Sequence, residues 1–441
     1  MLLREKYLKK IEPFIESDLI KVITGMRRSG KSVLLTQIKN KILEKGVKEK
    51  QILFINFESL KYKSLYDAET LYTYLDEKLD DKNKNYVFFD EIQLVDEFER
   101  VLNSLRVDYN ISIFVTGSNG DLLSGELATL LSGRYIKFDI FPFTYQEYVA
   151  FLNLNPMDEK VFKDYILFGG LPQTYSFKNT QEKEALLIDI LDSIVYKDIL
   201  MNLSAKNVET IKRFINYVVQ STSLDFNAQS IVKYLKSERI NTTPDTIYSY
   251  IDAILNSLIV RKCSRYDIKG KKILKRNEKY YVADLGLRNH TLNLEKIDYG
   301  ACLETIVYNH LISDDYEVNI GKVDDYEIDF IAIKPGKKMY IQVAYLLAND
   351  EIINREFRGL DAIDDNYEKI VVSYDKVDFS RNGIKHINII DFLMKNEFWY
   401  NDKWTRNLLR RRQVIRFQEK HLYHMNYWVT IILYLEIQKI K

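Results

Sequence analysis

The chain has 441 residues, too many for one ordinary hydrophobic core, so about two to four domains are expected, and a 46 % hydrophobic content suffices to bury them. With 64 basic and 63 acidic residues the net charge is only +1, which excludes a chain-wide field for nucleic acid and makes any basic surface local. Cys263 and Cys302 stand alone as thiols, giving neither a disulfide framework nor a zinc cluster and suiting a reducing cytoplasm; Met1 to Lys10 lacks the continuous apolar segment of a secretory signal.

The first predicted strand, Leu19 to Thr24, runs into Gly25-Met26-Arg27-Arg28-Ser29-Gly30-Lys31-Ser32. A G-x-x-x-x-G-K-S loop leaving a strand is a phosphate-binding P-loop. Gly25 and Gly30 let the backbone curl until successive N–H groups, Ser29 among the cradle residues, point at phosphate oxygens. Lys31 then reaches the β and γ phosphates, and Ser32 offers its hydroxyl to Mg²⁺. Arg27 and Arg28 are read as a solvent-facing pair, with phosphate contact as the alternative. A helix is predicted from Ser32 to Leu43.

Further strands follow at crossover spacing. Ile52 to Phe57 is apolar and precedes a helix over Ala68 to Leu79. Tyr86 to Phe89 then ends in Asp90 and Glu91, as when a buried strand delivers carboxylates to its C-terminal tip. Asp90 would hold Mg²⁺ through water and Glu91 would orient the water that attacks the γ phosphate; an acidic helix cap is the alternative. Ile111 to Val115 ends in Thr116-Gly117-Ser118-Asn119, where Asn119 or Ser118 would sense the γ phosphate unless the segment is a plain turn. A helix over Asp121 to Leu131 leads to Ser132-Gly133-Arg134, and Arg134 would stabilise charge on the transferring phosphoryl group, in cis or across a subunit boundary. Strands alternating with helices imply an α/β fold, a P-loop NTPase parallel sheet with helices on both faces.

The ordered set T-G-M-R-R-S-G-K-S, F-F-D-E-I-Q, V-T-G-S-N, L-S-G-R-Y and F-P-F-T-Y-Q-E-Y resembles the AAA-type ATPases of bacteria and archaea that carry a characteristic C-terminal domain of uncharacterised function. Phe168-Gly169-Gly170-Leu171-Pro172 and Val195-Tyr196-Lys197-Asp198-Ile199 match the same family, and the resemblance covers about residues 1 to 396. It implies a nucleotide-binding core of the additional-strand type, Glu91 as the catalytic acidic residue, and ATP as the nucleotide.

From Thr210 to Leu258 three helices are predicted, Ile211 to Val219, Ala228 to Leu235 and Thr246 to Leu258, with Pro244 at the start of the third. Two β-like runs, Ile259 to Tyr266 and Lys279 to Val282, flank the turn Lys269 to Lys272, which completes a winged helix. The third helix carries Tyr248, Tyr250 and Asp252 but no Arg or Lys, a poor phosphate match. The wing, with Arg261, Lys262, Lys269, Lys271, Lys272, Lys275 and Arg276, is the candidate contact for double-stranded DNA; a protein-docking or lever element is the alternative.

Residues 284–396 resemble the restriction-endonuclease-like fold, in which a helix acid, a strand Asp and a following E-x-K hold Mg²⁺ and activate water. Glu304 and Asp329 match the two acids, but Gln342 and Ala344 stand where the acid and lysine belong, so a nuclease-like binding domain without efficient hydrolysis is expected, with residual metal binding left open. All three tryptophans fall after residue 396, and Val429 to Leu435 is far shorter than the roughly 18 to 20 residues that span a bilayer. The division is therefore an ATPase core at 1–150, a helical lid or linker at 151–205, a winged helix at 206–283, the nuclease-like domain at 284–396 and an atypical tail at 397–441. The function expected is a Mg²⁺-dependent ATPase acting as a nucleotide-driven switch on the later modules. A DNA-binding or DNA-processing protein with a subordinate ATPase, and a nucleotide-switched scaffold for a protein partner, are the alternatives. An Arg134 acting in trans would require a homo-oligomer.

Overall fold

A computed structural model describes residues 2–395 except 81, 118–130, 132, 201, 202, 204–207, 238, 239, 241 and 292–296, with 275–277 described by backbone alone. The expectations for Ser118, Asn119, the helix at 121–131 and the tail at 397–441 lie outside the described residues.

Five strands form the first sheet: β1 Ile20–Thr24, β2 Ile52–Asn56, β3 Asn85–Asp90, β4 Ile111–Gly117 and β5 Tyr135–Asp139. All pair in parallel in the order β2-β3-β4-β1-β5. Every residue of β1, β3 and β4 is buried, as expected of strands covered on both faces. Alternate side chains serve the two faces: Val87, Phe89, Ile113 and Val115 join one core with Leu102 and Leu105, while Phe88 and Phe114 join the other with Leu34 and Ile38. Each such side chain contributes about 1.5–3 kcal/mol by leaving water. Strand β4 lies between the P-loop strand and the acidic strand, which is the additional-strand order. Its register aligns Thr116 with Ile23 and Val115 with Phe89, so the tips of β1, β3 and β4 emerge side by side.

Helices Tyr145–Leu152, Glu159–Phe168 and Thr180–Ile194 follow, the last running into one π-helical segment, Val195–Leu200. The three later helices form where the periodicity places them, at Val208–Gln220, Ala228–Ser237 and Pro244–Asn256; Thr243 caps the third through its side chain.

The second sheet departs from the expected division. Strands β6 Val260–Asp267 and β7 Lys272–Val282 form the hairpin read as a wing, and β7 begins at Lys272 rather than Lys279. Strands β8 Glu317–Val323, β9 Tyr326–Lys334, β10 Lys337–Val343, β11 Glu368–Ser373 and β12 Lys385–Asn388 complete seven strands in the order β12-β11-β10-β9-β8-β6-β7. The hairpin is part of this sheet because β6 pairs in parallel with β8, Arg265 to Ile320 and Asp267 to Lys322, giving backbone groups on its second edge partners that a free wing lacks. The sheet thus runs across the position 283/284, and residues through Leu393 cluster as one unit.

Asp284 shows how the parts are joined. Its carboxylate accepts the Gly170 N–H at 2.6 Å and the Gly286 N–H at 2.9 Å, and the Gly170 carbonyl in turn accepts the Phe143 N–H at 2.7 Å. The F-P-F and F-G-G-L-P runs are therefore packing devices around one buried carboxylate, whose pKa burial pushes up to about 6 against the backbone donors that hold it.

Candidate functional site

The loop from Gly25 to Ser32 wraps the N-terminus of helix Lys31–Glu44. Gly30 is the residue before that helix and has φ +100°, in the left-handed region that glycine enters without strain. Gly25 has φ +158°, and a Cβ there would sit 2.4 Å from the Ile140 carbonyl oxygen, so the close approach of β5's exit excludes any side chain. Both glycines of the motif thus have geometric reasons, and the loop they permit presents backbone donors at a helix N-terminus, the setting that favours anions.

Lys31 is 5 % exposed, and its ammonium donates to the carbonyls of Gly25 at 3.0 Å and Met26 at 3.3 Å. Burial lowers its pKa, while the nearby Glu91 and Asp90 carboxylates oppose that shift. Ser29 is fully buried, with its hydroxyl oxygen unpartnered among the described residues, and its carbonyl accepts from Arg4. Ser32 is exposed.

Asp90 ends β3 beside this loop. Its two oxygens accept from the Thr116 hydroxyl at 2.5 Å and the Asn56 side-chain amide at 3.1 Å. Burial raises its pKa, and the hydroxyls of Thr116 and Ser32 favour the ionised form. Glu91 turns away from the strand with φ 56°, an uncommon backbone for a glutamate, and its N–H donates to Thr116 Oγ1 at 3.0 Å. Its carboxylate accepts from Gln93 at 2.5 Å. Thr116 therefore holds both acids from the intervening strand. The sequence showed Thr116 only as one of several polar residues at a strand tip, and nothing in it linked Asn56 to Asp90.

Beside these groups lies a cavity of about 530 Å³ lined by Arg27, Gly30, Lys31, Ser32, Glu58 and Glu91 on the loop side and by Phe143, Phe151 and Pro172 beyond. The volume falls in the range of small-molecule and cofactor sites. Glycine-shaped loop, buried lysine and open cavity fit a nucleoside triphosphate. Ser32 and Asp90 supply the hydroxyl and carboxylate with which Mg²⁺ would be held, the ion keeping waters for its other positions. Among the described residues, no group of three or more His, Cys, Asp or Glu side chains is arranged to hold a metal by itself.

Two arginines differ from expectation. Arg27 is not solvent-facing: its side chain is 17 % exposed and forks onto the Asp198 carboxylate, Nε to Oδ2 at 3.1 Å and Nη2 to Oδ1 at 2.8 Å. Arg134 is not brought to the cavity. Its carbonyl accepts the N–H of Ile20 at the start of β1, about 13 Å along the strand from the P-loop end, and its exposed guanidinium bonds Asn103 at 2.9 Å. It lies outside reach of phosphate held by its own P-loop.

The C-terminal sheet carries a second charged cluster. Glu304, on helix Tyr299–Ser313, accepts from the Tyr281 hydroxyl at 2.5 Å and from Lys279 at 3.3 Å, and Lys279 also bonds Glu327 at 2.8 Å. Asp329 accepts the Val343 N–H at 2.7 Å; Gln342 bridges the Asp329 N–H and the Glu356 carboxylate, and Ala344 is buried in the sheet's core. Burial raises the pKa of Asp329 and Glu304, and at Asp329 the neighbouring Glu304 charge acts in the same direction. Lys279, central here, was legible only as the start of a short strand.

Of the seven basic residues of the candidate contact on the hairpin, three are engaged, and the side chains of Lys275 and Arg276 lie outside the described residues. Arg261 packs over the Phe141 ring at 4.3 Å, Lys262 pairs with Glu278 at 3.1 Å, and Lys269 pairs with Asp324 at 2.6 Å, while Lys271 and Lys272 are exposed.

Comparison with known proteins agrees with the first sheet. Residues 17–149 match the family model described as an AAA domain, and residues 159–298 match a domain of unknown function, DUF8612. An uncharacterized protein of Haemophilus influenzae is 38 % identical over 402 residues, covering 90 % of this chain and 99 % of that one. One from Methanocaldococcus jannaschii is 29 % identical over 397 residues, 87 % of each. The solved structure of AMPPCP-bound DnaA from Aquifex aeolicus is 13 % identical and covers 58 % of this chain and 89 % of its own, with a TM-score of 0.29, too low to carry an inference. The chain belongs to one family with the Haemophilus influenzae protein, and its N-terminal part is an AAA-type P-loop domain.

Proposed function

We propose that this protein is a Mg²⁺-dependent ATPase whose nucleotide state acts on the helices 208–256 and the seven-stranded sheet. The observation that carries the reading is that Lys31, Ser32 and Glu91 line one cavity, with Asp90 next to Glu91, delivered from the tips of β1 and β3 on either side of β4. Lys31 and the loop N–H groups, including those of Ser29 and Gly30, hold phosphate; Ser32 and Asp90 hold the metal; Glu91 orients the attacking water. Mg²⁺ would supply charge stabilisation at the β and γ oxygens. Asn119 is proposed as a γ-phosphate sensor. Arg134, remote from its own P-loop, is proposed to act in trans, which makes the working form a homo-oligomer. A cytoplasmic setting belongs to the same proposal; Cys263 and Cys302 are buried free thiols, and no described helix is long and apolar enough to cross a membrane.

The test is Mg²⁺-dependent ATP hydrolysis by the purified protein, with and without duplex DNA, using Lys31→Ala as the blank. Lys31→Ala should lose nucleotide binding, whereas Glu91→Gln should retain it and lose turnover by roughly 10² to 10⁴. Equal loss of binding in both variants would overturn the assigned roles. Mixing inactive Lys31→Ala with Arg134→Ala should restore hydrolysis if the arginine works across a subunit boundary, and no recovery would refute that arrangement. A DNA-linked reading has exposed Lys271 and Lys272 as its candidate contacts among the described side chains; a DNA-stimulated rate would favour it, and a rate indifferent to DNA would turn the search to protein partners. Nuclease activity is not part of the proposal, because Lys279, Tyr281 and the Val343 N–H already hold Glu304 and Asp329.

A further inference from the structure

The V-Y-K-D-I run plays no part in the P-loop chemistry described so far, yet its aspartate reaches the loop. Asp198 lies on the π-helical segment Val195–Leu200, is 4 % exposed, and meets Arg27 from 171 residues away in the chain. We propose that Arg27 and Asp198 form a charge link through which phosphate bound on the P-loop acts on the helices behind it; the proposal rests on the P-loop being a nucleotide site.

The geometry supports competition for one guanidinium. Arg27 lies within the loop between Met26 and Arg28, and its side chain lines the same cavity as Lys31, Ser32 and Glu91. Two of its nitrogens are engaged by the two oxygens of Asp198, and the third lies 4.0 Å from Glu58, an exposed acid at the cavity rim. The Asp198 hydrogen bonds are the largest cause of the upward pKa shift of Arg27, and both residues also bear on the charge of Lys31, in opposite directions. Phosphate oxygens recognise a guanidinium by the same bidentate geometry as a carboxylate. A phosphate that takes up the Nε and Nη2 edge of Arg27 therefore takes it from Asp198.

What Asp198 would pass on is set by its surroundings. Val195 and Ile199, on the same segment, are buried, and the segment packs against helices Pro244–Asn256 and Val208–Gln220. A π-helical turn is a rare, wide form of helix that occurs mostly as a single turn at functional sites. Loosening the Asp198 tie releases a charged group that holds this turn to the P-loop cavity. Coupling is reciprocal: if nucleotide weakens the tie, the tie weakens nucleotide binding by the same factor. Asp198 is thus a positioning residue, acting on phosphate through Arg27.

The experiment uses the full chain, a fluorescent non-hydrolysable ATP analogue with Mg²⁺, and hydrogen exchange of residues 195–200 and 244–256. In the wild type, the analogue should speed exchange in both segments. Asp198→Asn should bind the analogue roughly tenfold more tightly and lose the nucleotide-dependent change in exchange, and Asp198→Glu should restore both toward wild type. The affinity gain of Asp198→Asn should vanish in an Arg27→Ala background. Arg27→Lys, which keeps the charge but cannot fork, should bind the analogue and leave exchange in the two segments unresponsive; this holds even if Asp198→Asn fails to fold. Intact nucleotide binding with additive effects of Arg27→Ala and Asp198→Asn, or with an exchange response preserved in Arg27→Lys, would overturn the link alone. Equal, absent binding in the wild type and Lys31→Ala would overturn the P-loop reading and the link with it.

Discussion

Two buried lysines each sit among carboxylates, and they are built in opposite ways. Lys31 rests its ammonium on two backbone carbonyls, with Asp90 and Glu91 near but bonded to Thr116, Asn56 and Gln93, and it faces a cavity of about 530 Å³. Lys279 spends its ammonium on carboxylates directly, Glu304 and Glu327, inside the second sheet. Burial lowers the pKa of Lys31. It would lower that of Lys279 too, but Glu304, Asp329 and Glu327 together raise it instead. The lesson is that an ammonium satisfied by dipoles keeps its charge available to a ligand, whereas one satisfied by carboxylates has its charge offset and has little left to offer phosphate.

The same substitution at both sites would break this comparison most directly. Lys279→Met should destabilise the protein by about 3–5 kcal/mol in urea denaturation, because buried Glu304 loses the cation that offsets its burial, Glu327 keeping Arg265, while nucleotide affinity stays as it was. Lys31→Met should remove nucleotide binding and change stability by less than about 1 kcal/mol, since no carboxylate depends on that ammonium for a hydrogen bond. A similar stability loss at both lysines would show that the clusters are alike.

Asp284 sharpens the contrast from the anionic side, being buried and held by backbone N–H groups of Gly170, Leu171, Gly286 and Leu287 rather than by a cation. Asp284→Ala should cost about 3 kcal/mol by leaving those donors without a partner, measured by the same denaturation. Its pKa of about 6 lies above the ordinary value of 3.8, so the folded state binds the proton more tightly than the unfolded one. The contribution of Asp284 is then greatest below about pH 4, falls as pH rises toward 6, and is flat above. Stability measured across that window should lose on the order of 2 kcal/mol of downward slope in Asp284→Ala relative to wild type, and an unchanged slope would assign the titration elsewhere. The smallest effect is expected at the hairpin turn. Replacing exposed Lys271 and Lys272 with Ser should change stability by less than about 0.5 kcal/mol, so that any loss of duplex affinity in a salt titration reports contact with DNA rather than misfolding.

Much of the site was legible because its signals are local. Gly25 and Gly30 answer to the backbone of their own loop, the alternation of Val87, Phe88 and Phe89 to the pleat of their own strand, and Asp90 and Glu91 to being the next residues along it. Arg27 was misread as solvent-facing because its partner is in a distant helix. The hairpin was read as a wing because a β-run shows its period without showing whether a second edge is paired, and only the β6–β8 ladder reveals that. Arg134 was read as acting in cis or across a subunit boundary, because chain order does not say which end of the sheet a residue reaches; only the structure places it away from its own P-loop.

What the sequence determined by itself was the P-loop strand, loop and helix, the acidic strand tip and the three helices at 208–256, since glycine dihedrals, hydrophobic period and caps act over a few residues. Tertiary structure alone decided which charges meet: Thr116 with Asp90, Lys279 with Glu304 and Glu327, Arg27 with Asp198. The reason is physical. Coulombic and hydrogen-bond partners are chosen by distance in space and by the water excluded between them, and neither quantity is written in the spacing along the chain.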